Sequence, residues 1–182
     1  MGEEKQQAEE KQEHPQRPNW DEYFAGVVLW VGTRGACCRR ENGAVIVKGK
    51  EIIATGYNST PRGLENCLEI GICKREDLGL PTGERYELCR AEHAEANAII
   101  QLAWGTGGSI GTKMYVIRYP CIECARDIIQ SGIIEVVYLG GKESEESKLI
   151  FEKANIKVRK LDFSVDKLIN YLAEHKKYLE RE

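Results

Sequence analysis

The sequence predicts an α/β domain: three layers, α/β/α, built around a mixed sheet of about five strands. Short β-branched apolar runs alternate with longer segments of helical period, the pattern of strands covered on both faces by helices. An early pair of apolar runs flanks a short Gly-containing turn, so at least one antiparallel hairpin joins the sheet. The 182 residues are 42% hydrophobic and 30% charged, which is enough for one packed core and too apolar for chain-wide disorder.

Residues 1–18 hold Glu, Gln and Lys with almost no apolar side chain. They are expected to form a disordered charged tail, in which His14 is a solvated histidine. Residues 19–182 are read as a single domain. Asn19 caps a helix whose Trp20, Tyr23, Phe24, Val27, Val28 and Val31 share one face. Residues 44–47 and 52–55 flank Lys48, Gly49 and Lys50 as the two strands of the hairpin. Residues 58–90 form a cysteine-containing insertion without a clear period, and a connection of that length needs a function or a staple of its own. Regular structure resumes with a helix over 93–103, a strand over 113–118 and a helix over 122–131. A strand over 133–139, a helix over 143–153 and a short strand over 156–158 follow. The last helix, 165–180, is amphipathic, with Leu168, Ile169 and Leu172 expected in the core.

Lysine and arginine total 26 against 29 acidic residues, for a net charge of -3. That balance argues against a dedicated nucleic-acid binder, which carries a basic face. No apolar run reaches the roughly 18 residues of a membrane helix, and the N-terminus lacks an apolar signal core. The expected location is cytoplasmic. Seven cysteines, an odd number, suit a closed disulfide framework poorly and in a reducing compartment point to metal.

Two motifs carry the chemistry. His93-Ala94-Glu95 opens one predicted helix, and Pro120-Cys121-Ile122-Glu123-Cys124, beginning 27 residues later, opens another. Cys121 and Cys124 share a face of a first helical turn, where free amides and the helix dipole favour thiolates. Two thiolates and one neutral imidazole balance Zn²⁺ and leave a fourth position open, the layout of a catalytic zinc. Glu95 is placed to take a proton from the water at that position. Alone, a CxxC is often structural or redox-active and an HxE an ordinary helix start. Together, in this order, they match the zinc-deaminase signature.

On these residues the chain resembles the cytidine and deoxycytidylate deaminase superfamily over roughly residues 20–162. It is most like the branch acting on deoxycytidylate (dCMP). The segments 43–47, 56–61, 93–99, 114–116, 120–125, 128–133 and 136–138 carry the likeness. The resemblance implies a cytidine-deaminase-like fold and hydrolysis of dCMP to dUMP and ammonia, supplying dUMP for thymidylate synthesis. Zinc hydroxide would attack C4 of the pyrimidine while Glu95 shuttles the proton, first to N3 and then to the departing ammonia. Asn58 would hydrogen-bond the sugar hydroxyl, and the backbone around Ala94 would contact the base. Arg39, Arg40, Arg62 and Arg118 are the arginines open to the 5′-phosphate. Tyr119 either stacks on the base or pads the pocket. The family assembles as dimers or larger, so a homo-oligomer is expected.

Two residues depart from the family pattern. Regulated relatives carry Gly-Tyr-Asn-Gly, associated with dCTP or dTTP, and here the fourth residue is Ser59, which reaches positive φ only at a cost. Asn42 stands before Gly43, where an apolar residue is more usual. Some members also hold a second zinc near the equivalents of Cys67, Cys73 and Cys89. By that resemblance these three form a structural site, with Cys37 favoured over Cys38 as the fourth ligand; the alternatives are buried thiols or a disulfide. The rival readings of the whole chain are a deaminase of a nucleoside, free base or tRNA base, and a non-catalytic zinc-binding interaction module.

Overall fold

The computed structural model describes residues 17–81, 84–105 and 108–179. The charged tail expected over 1–18 therefore lies almost wholly outside the described residues. The order of elements is α1 (Trp20–Gly32), β1 (Gly43–Lys48), β2 (Glu51–Tyr57), α2 (Cys67–Ile70), α3 (Lys74–Asp77), α4 (Ala94–Trp104), β3 (Lys113–Arg118), α5 (Ile122–Gln130), β4 (Glu135–Gly140), α6 (Glu145–Lys153), β5 (Lys157–Lys160) and α7 (Val165–Leu179). The strands form one sheet in the order β2-β1-β3-β4-β5. β1 pairs antiparallel with both β2 and β3, while β3, β4 and β5 run parallel.

The period-2 pattern of the strands divides the core in two. Val45 and Val47 of β1, Tyr115 of β3 and Val137 of β4 pack under Phe24 and Val28 of α1. Ala44, Ile46, Met114, Val116 and Val136 point the other way, against Ala98 and Leu102 of α4, Ala125 and Ile128 of α5 and Phe151 of α6. This is the predicted three-layer arrangement. Asn19 caps α1 as expected: its side chain accepts from the Glu22 amide, and Glu22 accepts from the Asn19 amide in return. Arg159 of β5 bonds Asp21 of α1 at 2.8 Å and Glu135 of β4 at 2.7 Å, tying the far edge of the sheet to the first helix.

Two glycines set how closely the helices approach the hairpin. A Cβ on Gly43 would lie 2.4 Å from the Val28 carbonyl of α1, and one on Gly56 would lie 2.2 Å from the Ala94 carbonyl of α4. Residues 43 and 56 sit at the same end of the β1–β2 ladder. The absence of side chains there lets α1 and α4 close on that end from opposite faces, and α4 brings His93 and Glu95 with it.

The insertion is stapled at its base. Ser59 and Glu92 form an isolated antiparallel bridge, and Asn97 of α4 donates to the Tyr57 carbonyl at 2.9 Å. Within the excursion, Asn66 and Glu69 cap α2 reciprocally, and a single 3-10 turn covers Tyr86–Leu88. The last helix departs from its sequence reading. Leu168 reaches Gly26 of α1, but Ile169 and Leu172 are exposed, so the apolar stripe of α7 is only partly absorbed into the core.

Gly56→Ala is expected to cost about 2–3 kcal/mol of stability, because the clashing atoms are backbone and α4 itself must shift. Gly108→Ala, which meets nothing within 4 Å, should be neutral. Thermal unfolding of the two variants side by side checks this.

Candidate active site

Two helix N-termini converge at the end of the sheet where β3 stops. His93 is the N-cap residue of α4 and Cys121 the N-cap residue of α5, both with extended backbone and neither spending its side chain on a cap. Cys124 lies one turn into α5 and is 2% exposed. His93 Nδ1 is 3.2 Å from Cys124 Sγ and 3.4 Å from Cys121 Sγ. Among the described residues this is the one cluster of three or more His, Cys, Asp or Glu donors within 4.8 Å of one another. The donor set of two sulfurs and one imidazole nitrogen aimed at a common point fits zinc.

Among the three side chains alone, protons are shared. The Cys124 thiol and His93 hydrogen-bond Cys121 and hold its thiol well below the usual range, while the same contact and burial push Cys124 up. The hydrogen bond to Cys121 raises His93 to about 9. Glu95, in the first turn of α4, is 2% exposed and its Oε2 has no hydrogen-bond partner. Burial pushes its carboxyl up, against the pull of His93. An unpartnered buried carboxyl beside a set of soft donors is costly as a structural feature and suits a group that exchanges a proton.

His93 and Cys121 open into a cleft of about 830 Å³, counting its mouth, with Cys124 behind them. Of the residues singled out in the sequence, His93, Glu95, Cys121 and Asn58 line it, as do Cys37, Cys73 and Cys89. Ala94 is fully buried, with its carbonyl against β2. Asn58 spans the gap between β2 and the loop before β1: its Oδ1 accepts from the Asn42 amide at 2.8 Å and its Nδ2 donates to the Arg40 carbonyl at 2.9 Å. Each of those atoms keeps one further bonding position for a ligand. Tyr119 lines the cleft while packing edge-on against Tyr138, with ring centroids 4.9 Å apart.

The arginines separate. Arg39, Arg40 and Arg118 line the cleft, whereas Arg62 lies 3.9 Å over the Trp104 ring on the outside of α4. Arg39 pairs with Glu76 at 3.2 Å. Four residues of the cleft wall are not marked for this role by the sequence: Asn42, Arg75, Tyr86 and Ala91. Tyr86 packs edge-on against the His93 ring, centroids 5.2 Å apart. In the sequence Asn42 is a change at the start of the strand; in the structure it forms part of the cleft wall, with Oδ1 buried and unpartnered. Its position before Gly43 was the available signal. Ser59 sits in the extended bridge with Glu92 and not at positive φ.

The remaining cysteines gather around Cys67. Burial raises its thiol, and the neighbouring Cys37, Cys38, Cys89 and Cys73 raise it further. Cys38 is exposed and donates to the Cys67 carbonyl at 3.0 Å. No three of these sulfurs come within 4.8 Å of one another.

Comparison with known proteins places this geometry. A sequence model described as the cytidine and deoxycytidylate deaminase zinc-binding region matches residues 18–140. The chain belongs to this deaminase family. The deoxycytidylate deaminase of Saccharomyces cerevisiae is 39% identical over 157 residues, 85% of this chain and 49% of the yeast protein, so the chain spans about half the length of that relative. The deoxycytidylate deaminase of Mycobacterium phage D29 is 40% identical over 127 residues, 67% of this chain and 95% of the phage protein. Among solved structures, the dCMP deaminase of cyanophage S-TIM5 in complex with dCMP and dUMP superposes with a TM-score of 0.66 at 25% identity, covering 80% of this chain and 99% of the phage enzyme. The five-stranded mixed sheet is thus the fold of this family's deaminases. No helix of the described residues is long and apolar enough to cross a membrane.

Proposed function

We propose that the chain hydrolyses dCMP to dUMP and ammonia, with His93, Cys121 and Cys124 as ligands of a catalytic zinc and Glu95 as the proton carrier. The observation that carries this reading is the unpartnered Glu95 carboxyl, 2% exposed, two residues from a convergent His/Cys/Cys set. A purely structural metal site has no use for it, which disfavours a non-catalytic interaction module. The phage and yeast relatives named deoxycytidylate deaminase favour the nucleotide over a free base or a tRNA base.

When bound, zinc supplies Lewis-acid activation of water. Everything else falls to the chain. Glu95 would accept the first proton of water and hand it to ring N3 as the C4–O bond forms. It would then take the remaining proton from the C4 hydroxyl and pass it to the C4 amine, so that the C4–N bond breaks, the C4 carbonyl forms and ammonia leaves. The overall balance is dCMP plus water giving dUMP plus ammonia. Tyr86 packs against the imidazole of His93, and at the α5 N-terminus the Cys124 backbone and the helix dipole favour the charged form of Cys121. Asn58 offers its spare donor and acceptor to the sugar hydroxyl, and the phosphate falls to an arginine of the cleft. A homo-oligomer is expected by resemblance to the family, and the exposed Trp30, Trp104 and Ile110 are apolar surface that such an assembly could use. Seven free cysteines fit a reducing compartment such as the cytoplasm.

A second reading concerns the insertion. The gathering of Cys37, Cys38, Cys73 and Cys89 around Cys67 favours a structural zinc at Cys37, Cys67, Cys73 and Cys89, their side chains turning inward on binding. Cys38, already committed to the Cys67 carbonyl, is the spare.

Loss of cytosine absorbance, followed with dCMP, CMP, deoxycytidine and cytosine in parallel, should show turnover greatest with dCMP. Glu95→Gln should keep its fold and zinc and lose at least about a thousandfold in rate, as expected when a proton carrier is removed from a preorganised site. Preference for deoxycytidine, or wild-type rates in Glu95→Gln, contradicts the assignment. Metal analysis should return two zinc ions per chain, falling to one in a Cys67→Ser/Cys73→Ser variant; one in the intact protein rejects the second site.

A further inference from the structure

The insertion contributes a cation that the chemistry at zinc does not use. Arg75, on α3, is 6% exposed, yet no Asp or Glu oxygen among the described residues lies within salt-bridge distance of its guanidinium. Glu87 feels its charge only at longer range and is itself paired with Arg85. A buried cation with no carboxylate in contact is expensive and is kept where something else completes it. Its Nη2 donates to two backbone carbonyls, those of Pro81 at 3.0 Å and of Glu84, and its Cζ lies 4.7 Å over the Tyr86 ring. Its Nε is buried and has no partner, and the residue lines the same cleft as His93 and Glu95.

We propose that Arg75 is the residue that makes the cleft select a phosphorylated nucleotide over the corresponding nucleoside, its guanidinium meeting a phosphate oxygen of the bound substrate. This rests on the deaminase reading above and names the feature that fixes its substrate class. The other arginines of the cleft are less suited. Arg39 is already opposed by Glu76, and Arg40 is exposed to water, which weakens its attraction for an anion. Arg118 also has a buried, unpartnered Nε, but it immediately precedes Tyr119, Pro120 and Cys121, at the metal end of the cleft.

The brace on Arg75 matters as much as its charge. With two carbonyls and an aromatic face holding it, the side chain loses little conformational freedom when an anion arrives, so the interaction is expressed in affinity. A nucleoside would leave the same group buried and uncompensated, which penalises the wrong ligand as well as rewarding the right one. On this view the 58–90 excursion is a specificity element: α3 supplies the guanidinium, and Tyr86 links it to the ring of His93 through two successive contacts.

The test compares zinc-loaded wild type, Arg75→Gln and Arg75→Lys with dCMP and deoxycytidine. Arg75→Gln should lose about 10- to 100-fold in kcat/KM for dCMP, chiefly through KM, while staying within about threefold for deoxycytidine, the range for one charged hydrogen bond. Arg75→Lys, which restores charge without the fork, should recover part of the loss. Equal loss on both substrates, or no loss on dCMP, overturns the proposal. Because Arg75 also holds the carbonyls of Pro81 and Glu84, thermal shifts produced by dUMP and by deoxyuridine are read on the same proteins. dUMP should stabilise wild type and fail to stabilise Arg75→Gln, with deoxyuridine indifferent to the substitution; equal stabilisation of both proteins by dUMP overturns it. If wild type turns over neither substrate, the deaminase reading fails, and the dUMP shift still decides the role of Arg75.

Discussion

The site depends on one constraint: the N-termini of α4 and α5 must meet. His93 and Cys121 are the residues at which each chain segment turns into its helix, so their side chains are fixed by where the helices start and not by loop conformation. The α5 start is set by β3, whose parallel partner β4 requires a crossover helix after Arg118. The α4 start is set by Gly56, which lets the Ala94 and Ala98 backbone press directly on β2. Donor atoms borne on two such ends are held rigidly, and the positive end of the α5 dipole lies beside the two sulfurs.

The rest of the cleft is built around that meeting point by weaker devices. Asn58 spends both polar ends on the backbone of residues 40 and 42, holding the loop before β1 over the opening. The Ser59–Glu92 bridge closes the insertion, so that Cys73, Arg75, Tyr86 and Cys89 return to the cleft and do not hang away from it. The insertion therefore needs no core of its own. Its order comes from caps, carbonyl contacts to one arginine, and a cluster of thiols.

Most of this fold was legible in the sequence because its signals are periodic. Ala44 and Val45 alternate faces, Phe24 and Val28 repeat at helical spacing, and Asn19 with Glu22 marks a helix start. The convergence of His93, Cys121 and Cys124 was legible for another reason: each motif stands at a helix start, and the two starts meet. Arg75 was not, because in Lys-Arg-Glu-Asp it looks like a charged surface turn, and only the return of the chain at Pro81 and Glu84 buries it. Arg62 failed in the opposite sense, finding the outer face of Trp104. Ile169 and Leu172 show that an amphipathic pattern specifies an apolar face without specifying what covers it.

The claim at the centre of this account is that turnover resides in the His93, Cys121 and Cys124 cluster acting with Glu95. Returning zinc stepwise to metal-stripped protein, with the initial rate of dUMP formation measured at each step, tests it most directly. The account predicts no turnover without metal, a rate that rises with filling of this site and then levels, and no recovery in Cys121→Ser at any zinc concentration. Deamination of dCMP by the metal-free protein, or by zinc-treated Cys121→Ser at the wild-type rate, would contradict it.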